Sequence, residues 1–526
     1  MRPQISLPRP SEADVETQPL LSTSQSYDPR DSSPEQRSAR PTSIRSVPST
    51  LRALLQATWP VSLLLAIVLA VMWALYLVAW VAPRALNPTP PSAEQRARDA
   101  EWVSGSPYWA DRQACRWLSL CGVHHLRWDP PAIEGGGADE RPRGGAGESG
   151  RGRERAGFRR PRAKVAGSKG AKQVPEYVLR HAPLVHLHSG ESFWPASVEE
   201  HLRHMRPVNH TAPGSNNGDG GSSHALLNLT SLDSLDATHG GAVYLTSTED
   251  VETRPTWLTS RGGLPSSTDG ENMGRSTAPA VLVLVEKDTD DDGPVLDAFW
   301  FFFYSYNLGQ TVLGVRFGNH VGDWEHCMVR FVRGEPTAVF LSEHEGGQAY
   351  AWRALEKAAA EGDNNGSSQH SRPSGGGGGG DRPVVYSAVG SHAMHATAGS
   401  HPYVLPFGML KDVTDEGPLW DPARNAWAYW HEPPGGEDES AFKPAAPIGG
   451  EAAPAPAGWL GFRGRWGDEL YGLDDGRQWR LFNQYHYVNG PAGPADKHLG
   501  RNAMCPQSRC KVLDSLEVGR KRTWYT

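Results

Sequence analysis

Cysteine is scarce, with five in 526 residues, too few for a fold built on disulfides. Basic charge is also short: 52 Lys and Arg stand against 59 Asp and Glu, for a net charge of −7. A nucleic-acid binder needing a broad basic surface is therefore excluded. Hydrophobic residues reach only 38%, low for a chain packed throughout. Gly 58 and Pro 43 lie well above the ~12% usual for the pair, so part of the length is linker or loop. No P-loop, HExxH or GxSxG is present, nor a GxGxxG leading into a helix. Nucleophilic hydrolase chemistry thus has no motif to stand on.

Long apolar runs are absent with one exception. Thr58 to Ala82 reads TWPVSLLLAIVLAVMWALYLVAWVA, 25 residues without a charge. At ~1.5 Å per residue, such a helix spans the ~30 Å hydrocarbon core of a bilayer. Trp59 and Trp80 stand near its ends, where amphipathic rings favour the interface. The run begins too late and is too long for a secretory leader. The expectation is a single-pass membrane anchor over 58–82.

The tail before the span carries Arg37, Arg40, Arg45 and Arg52, which favours a cytosolic N-terminus. The sequons at Asn209, Asn228 and Asn365 all follow the span and suit a glycosylated lumenal body. Cys115 with Cys121, and Cys505 with Cys510, are spaced to close small disulfide loops, leaving Cys327 as a free, buried hydrophobe. In the tail, Glu16-Thr-Gln-Pro-Leu20-Leu21 fits an acidic dileucine signal of the kind cytosolic sorting adaptors read as an endosomal or vacuolar address. An extended, disordered tail presents such a signal well.

Composition divides the chain further. Residues 1–57 read as a disordered cytosolic tail, and 83–173 as a stem with a Gly/Arg-rich linker. A lumenal domain with surface insertions follows over 174–515, and 516–526 form a C-terminal tail. In the body, Ala280–Glu286, Val295–Tyr306, Asp323–Val332, Pro336–Glu343 and Pro383–Val389 have the β-branched and aromatic character of strands. Gln348–Ala360 and Ala196–Met205 read as helices. The fold class expected is mainly β, an antiparallel β-sandwich with a few helices.

The densest cluster of potential ligands is Asn319-His320-Val-Gly-Asp323-Trp324-Glu325-His326. Alternation along a strand puts Asp323 and Glu325 on one face with Cys327, Val329 and Phe331. Two carboxylates on an apolar face need a cation, an arginine or a closed polar network. A two-residue turn at Arg333-Gly334 sets Val332 opposite Glu335 and Asp323 opposite His344; slipped by one, it brings Glu325 to His344. His320 and His392 are placed to join from neighbouring loops. His320, Asp323, Glu325, His344 and His392 are the candidate metal ligands, for Ca²⁺, Mg²⁺ or Mn²⁺ before Zn²⁺. His186 and His188, and the C-terminal aromatics from Trp459 to Tyr487, read as packing. No catalytic residue is assigned.

The words Phe193-Trp-Pro195, Ser305-Tyr-Asn-Leu-Gly309, Arg316-Phe-Gly-Asn-His-Val-Gly-Asp-Trp-Glu-His326, Leu341-Ser-Glu-His-Glu-Gly-Gly347 and Asn483-Gln-Tyr-His-Tyr-Val488 carry a resemblance. Through them, most of 181–500 resembles the fungal vacuolar protein sorting-associated protein 62 family. The resemblance implies a part in protein targeting to the vacuole and no established enzymatic activity; with the apolar span, the expected place is the endosomal and vacuolar membranes. With the apolar span and the dileucine signal, the expected partners are the membrane, a cytosolic sorting adaptor, and a lumenal protein or glycolipid ligand. Gly318-Asn-His-Val-Gly-Asp-Trp-Glu325 also resembles a word of microbial necrosis-inducing toxins, cation-binding β-sandwiches that act on glycosylated lipids. Their second histidine falls on Gly322 here. Alternative functions are a metal-dependent hydrolase using Asp323, Glu325 and His344, or a toxin-like glycolipid-binding membrane module.

Overall fold

The computed structural model describes residues 49–77, 93–129, 171–209, 227, 229–230, 232, 235, 243–268, 272–290, 293–344, 346–358, 381–402, 410–432, 440–448, 457–507 and 511–516. The chain divides into two compact units, residues 1–70 and 71–526. A helix over Ser49–Tyr76 holds part of the expected span and exposes its apolar side chains from Val61 onward. Residues 78–82 lie outside the described residues. Among the described residues no helix is long and apolar enough to cross a membrane, so they do not support the expected span 58–82. The dileucine residues Glu16, Leu20 and Leu21 also lie outside the described residues, as do Asn228 and Asn365.

The larger unit is mainly β with few helices, in several sheets. An eight-stranded sheet runs from Phe442–Pro444 through Ala426–His431, Ala280–Asp290, Gly293–Asn307, His320–Val332, Glu335–Glu343 and Gly346–Ala351 to Val512–Leu513. Its central strands are near-continuous runs of Val, Leu, Phe and Trp, the pattern of strands buried on both faces. Val281, Val283, Phe299, Phe301 and Phe303 point into one core. Leu282, Leu284, Trp300, Phe302 and Tyr304 point into another.

The second core is shared with a five-stranded sheet through Val185, Val385, Met394 and Trp420. That sheet contains Leu184–His186, Lys357–Ala358, Arg382–Ser387, Met394–His395 and Leu419–Trp420. The first core is closed instead by Val198–Leu202, Thr256–Thr259, and the aromatics Trp459, Phe462 and Trp466.

The antiparallel expectation is corrected. Ala426–His431 runs parallel to Ala280–Asp290, and Arg382–Ser387 parallel to Leu184–His186. A short turn forces reversal, but these pairs are joined by well over a hundred residues, long enough to return in either direction. A second correction concerns Gln348–Ala360: Gly346–Ala351 is a strand and Trp352–Ala354 a single 3₁₀ turn. Pairing with Glu335–Glu343 overrides its helix-forming residues. The helix expected over Ala196–Met205 shrinks to Val198–Leu202, capped by Ser197.

Residues ahead of the expected body boundary pack against its C-terminal part. Helices Ala93–Gly105 and Trp109–Leu118 lead to the Cys115–Cys121 disulfide, which shares a small core with Leu473 and Tyr485. Cys505 is also disulfide-bonded; its expected partner, Cys510, lies outside the described residues. Cys327 is free and buried, as its sequence context implied.

Candidate functional site

Asp323 and Glu325 are 5% and 4% exposed and share the inner face of His320–Val332 with Cys327, Val329 and Phe331. They stand across from Tyr304 and Phe302 on the neighbouring strand. Their burial is therefore as alternation requires, and each must be satisfied internally.

Asp323 is satisfied by His392. The turn at Gly390-Ser391-His392 places His392 in the left-handed region, φ 55, and lays its ring flat on Tyr304 with centroids 3.7 Å apart. Its Nδ1–H donates to Asp323 Oδ2 at 2.9 Å, and its Nε2–H donates to the Phe193 carbonyl at 3.1 Å. Both ring nitrogens face acceptors, the arrangement of an imidazolium. Glu191 Oε2 lies 3.7 Å from Nε2. Burial works against the charge, yet Glu191 and Asp323 outweigh it and push the imidazole up to about 10. Glu191 is itself fixed by backbone N–H groups of Ser192, Phe193 and Gly390. Burial alone would raise its carboxyl, but His392 and these donors hold it below the usual range.

Glu325 has a different environment. Its Oε2 accepts from the Ser342 hydroxyl, which in turn accepts from the His326 N–H. Burial and the nearby Asp323 charge push the Glu325 carboxyl well above the usual range. Two adjacent carboxyls in one apolar layer thus have different partners: Asp323 faces the His392 ring, while Glu325 has a neutral hydroxyl and favours the neutral acid.

His344 does not reach Asp323. The two-residue turn at Arg333-Gly334 forms as expected, with Val332 opposite Glu335. A bulge between Pro336 and Ala338 then shifts the register by one residue, so the expected alignment is lost. His344 instead meets Asp412, Nε2 to Oδ2 at 3.0 Å. Asp412 also receives His395 Nε2 at 3.2 Å and the Ser391 hydroxyl at 2.8 Å. Burial opposes ionisation of Asp412, but His344 and His395 hold its carboxyl far below the usual range. Burial likewise disfavours the His344 charge; Asp412, Glu325 and Glu343 still raise it to about 9.

His320 sits at the rim of the same face. Its Nδ1–H donates to the Gly322 carbonyl at 2.6 Å, and burial lowers its affinity for a second proton. That tautomer leaves a lone pair on Nε2, the state in which imidazole binds metal. Gly322 has φ 70, and a Cβ there would lie 2.0 Å from the Trp466 carbonyl oxygen. No histidine fits where the toxin word carries one.

Of the five expected ligands, Asp323 and His392 are in direct contact, Glu325 and His320 flank them, and His344 belongs to a second cluster around Asp412. Among the described residues, no group of three or more His, Cys, Asp or Glu has the geometry to hold a metal ion. Glu191 and Asp412 were missed because nothing in their local sequence ties them to residues 320–325. His186 and His188 bond locally, to Gly417 and Gly190, and Trp459, Trp466 and Trp479 are buried in packing.

The profile of the vacuolar protein sorting-associated protein 62 family matches residues 307–404, which contain most of this site. The putative vacuolar protein sorting-associated protein TDA6 of Saccharomyces cerevisiae is 36% identical over 354 residues, 63% of this chain and 68% of that protein. Vacuolar protein sorting-associated protein 62 of the same yeast is 35% identical over 340 residues, with the same coverage. A solved structure described as a toxin fold for microbial attack and plant defense is 12% identical, covering 47% of this chain and 75% of that one, at a TM-score of 0.19. A likeness that slight carries neither fold nor ligand to this chain. The similarity to the two yeast proteins does carry an assignment: the chain belongs to the vacuolar protein sorting-associated protein 62 family.

Proposed function

We propose that this chain acts in protein targeting to the vacuole, as a single-pass membrane protein of the endosomal and vacuolar system with a cytosolic N-terminus and a lumenal, ligand-binding β body. The observation that carries the reading is its identity with two yeast proteins named for vacuolar protein sorting, along most of their length. The anchor rests on the uncharged run from Thr58 to Ala82. The Cys115–Cys121 disulfide suits an oxidising lumen.

In cells lacking the chain, a soluble vacuolar hydrolase should escape to the medium, and the intact chain should restore its retention. Leu20→Ala with Leu21→Ala should leave the chain stranded before the vacuole. Retention that is unaffected by loss of the chain would defeat the sorting role.

A divalent cation is a second reading of the carboxylate–imidazole centre. It is favoured by the His320 tautomer, with Nε2 free to ligate, beside Asp323 and the neutral-leaning Glu325. Elemental analysis of the purified full chain tests it; the absence of stoichiometric Ca, Mg or Mn after dialysis would leave the ion-paired network as the whole of the site.

A further inference from the structure

A cleft separate from the carboxylate–imidazole centre has a composition the sorting role does not explain. Its cavity volume is about 40 Å³, and it is lined by Arg127, Arg254 and Arg316 together with Asp129, Glu252 and Tyr487. Three guanidiniums from three distant parts of the sequence converge there. Two carboxylates offset two of the three charges. Arg127 donates to Glu252, which also accepts from the Tyr487 hydroxyl, while Asp129 attracts the buried Arg316. Arg254 is exposed and makes no ion pair among the described residues, so the cleft retains one positive charge. Guanidinium groups suit phosphate oxygens because their planar donors match that geometry.

The rim of the cleft is apolar and projects. Gln310–Val312 and Val315–Phe317 form a small hairpin closed by Leu313 and Gly314. Arg316, on its second strand, lines the cleft. Leu313 is 82% exposed, and Trp128 is 77% exposed. Trp128 packs over Gly314, and the Asp129 N–H donates to the Gly314 carbonyl, so the two apolar side chains belong to one edge. Leu313 and Arg254 both adopt the left-handed backbone, φ 50 in each. A non-glycine residue there is strained. Asn or Gly is the ordinary choice for such a turn, and neither side chain recovers the strain by burial. An exposed Leu–Trp edge beside a cationic cleft matches a bilayer surface, with apolar groups entering the interface and guanidinium meeting phosphate.

We infer that this cleft binds the phosphate of an anionic lipid headgroup, with Leu313 and Trp128 seated among the adjoining acyl chains. The inference requires neither the sorting role nor a bound cation.

The test uses the full chain in amphipol and calorimetric titration with two probes: dihexanoyl phosphatidic acid and inorganic phosphate. The lipid should bind at least tenfold more tightly than phosphate. Arg254→Asn removes the charge and suits the left-handed backbone, so folding is spared; it should weaken both probes about tenfold. Leu313→Asn, equally compatible with its turn, should weaken only the lipid, by fivefold or more. Equal affinity for the two probes would make this a free-anion site and overturn the membrane assignment. Failure of the lipid to bind, or lipid binding indifferent to Arg254→Asn, would overturn the site itself.

Discussion

His392 lies flat against Tyr304, ring centroids 3.7 Å apart and planes within 3°. The stack shields one side of a charged imidazole while Asp323 and Glu191 take its protons or its charge at the edge. An ionised histidine can persist in this layer only because both carboxylates accompany it. Each of the following expectations depends on that arrangement or on the backbone that produces it.

Asp323→Asn keeps the shape of the side chain but leaves the imidazolium with Glu191 alone. Removing one partner of a buried ion pair costs about 3 kcal/mol or more. Denaturant unfolding of the variant should show a loss of that order, and an unchanged midpoint would mean that the pair contributes nothing.

His344→Ala should be far milder. Its side chain is 38% exposed, so solvent screens the pair with Asp412 and the expected loss is under about 1 kcal/mol. Comparison with His392→Ala in the same assay ranks the two clusters; equal losses would show that solvent does not screen the outer pair.

Stability should fall between neutral and alkaline pH. His392 and His344 have folded-state values raised to about 10 and about 9, against ~6.5 in the unfolded chain. Their contribution is complete below ~6.5 and is lost as pH rises through 9 and 10. Glu325, raised well above its ordinary value, acts in the same direction, because its ionisation is resisted by the fold. Asp412 and Glu191 are lowered, so their contribution is complete above ~4 and fades as pH drops below that. Melting temperatures at pH 5.5 should exceed those at pH 9.5; the reverse order would contradict the charge assignments.

Gly322→Ala should be severely destabilising. The new Cβ would lie 2.0 Å from the Trp466 carbonyl oxygen, at a φ of 70. Strain and overlap together exceed about 3 kcal/mol, and the variant should fail to accumulate as folded protein. A variant with native melting behaviour would mean that the start of strand His320–Val332 is far more yielding than its packing indicates.

Much of the fold was legible residue by residue. The run Val295–Tyr306 is so continuously aromatic and β-branched that only a strand buried on both faces accommodates it, and Gly293–Asn307 is such a strand. Alternation placed Asp323 and Glu325 on the apolar side of their strand, where both are buried. The turn at Arg333-Gly334 was equally clear, since both residues adopt positive φ there. Gln348–Ala360 misled because its helix-forming residues say nothing about the neighbouring edge that captures them as a strand.

The sequence by itself determined the central strands, the buried pair of carboxylates and the family, because each is written in local periodicity or in uninterrupted words. Tertiary structure alone decided the partners. A single bulge near Thr337 moved His344 out of register and handed it to Asp412, while a left-handed turn at residue 392 delivered the imidazole to Asp323. Asp412 and Glu191 are 89 residues or more from Asp323 along the chain, and their approach depends on how two sheets stack. Contacts of that kind are set by the summed packing of the whole core.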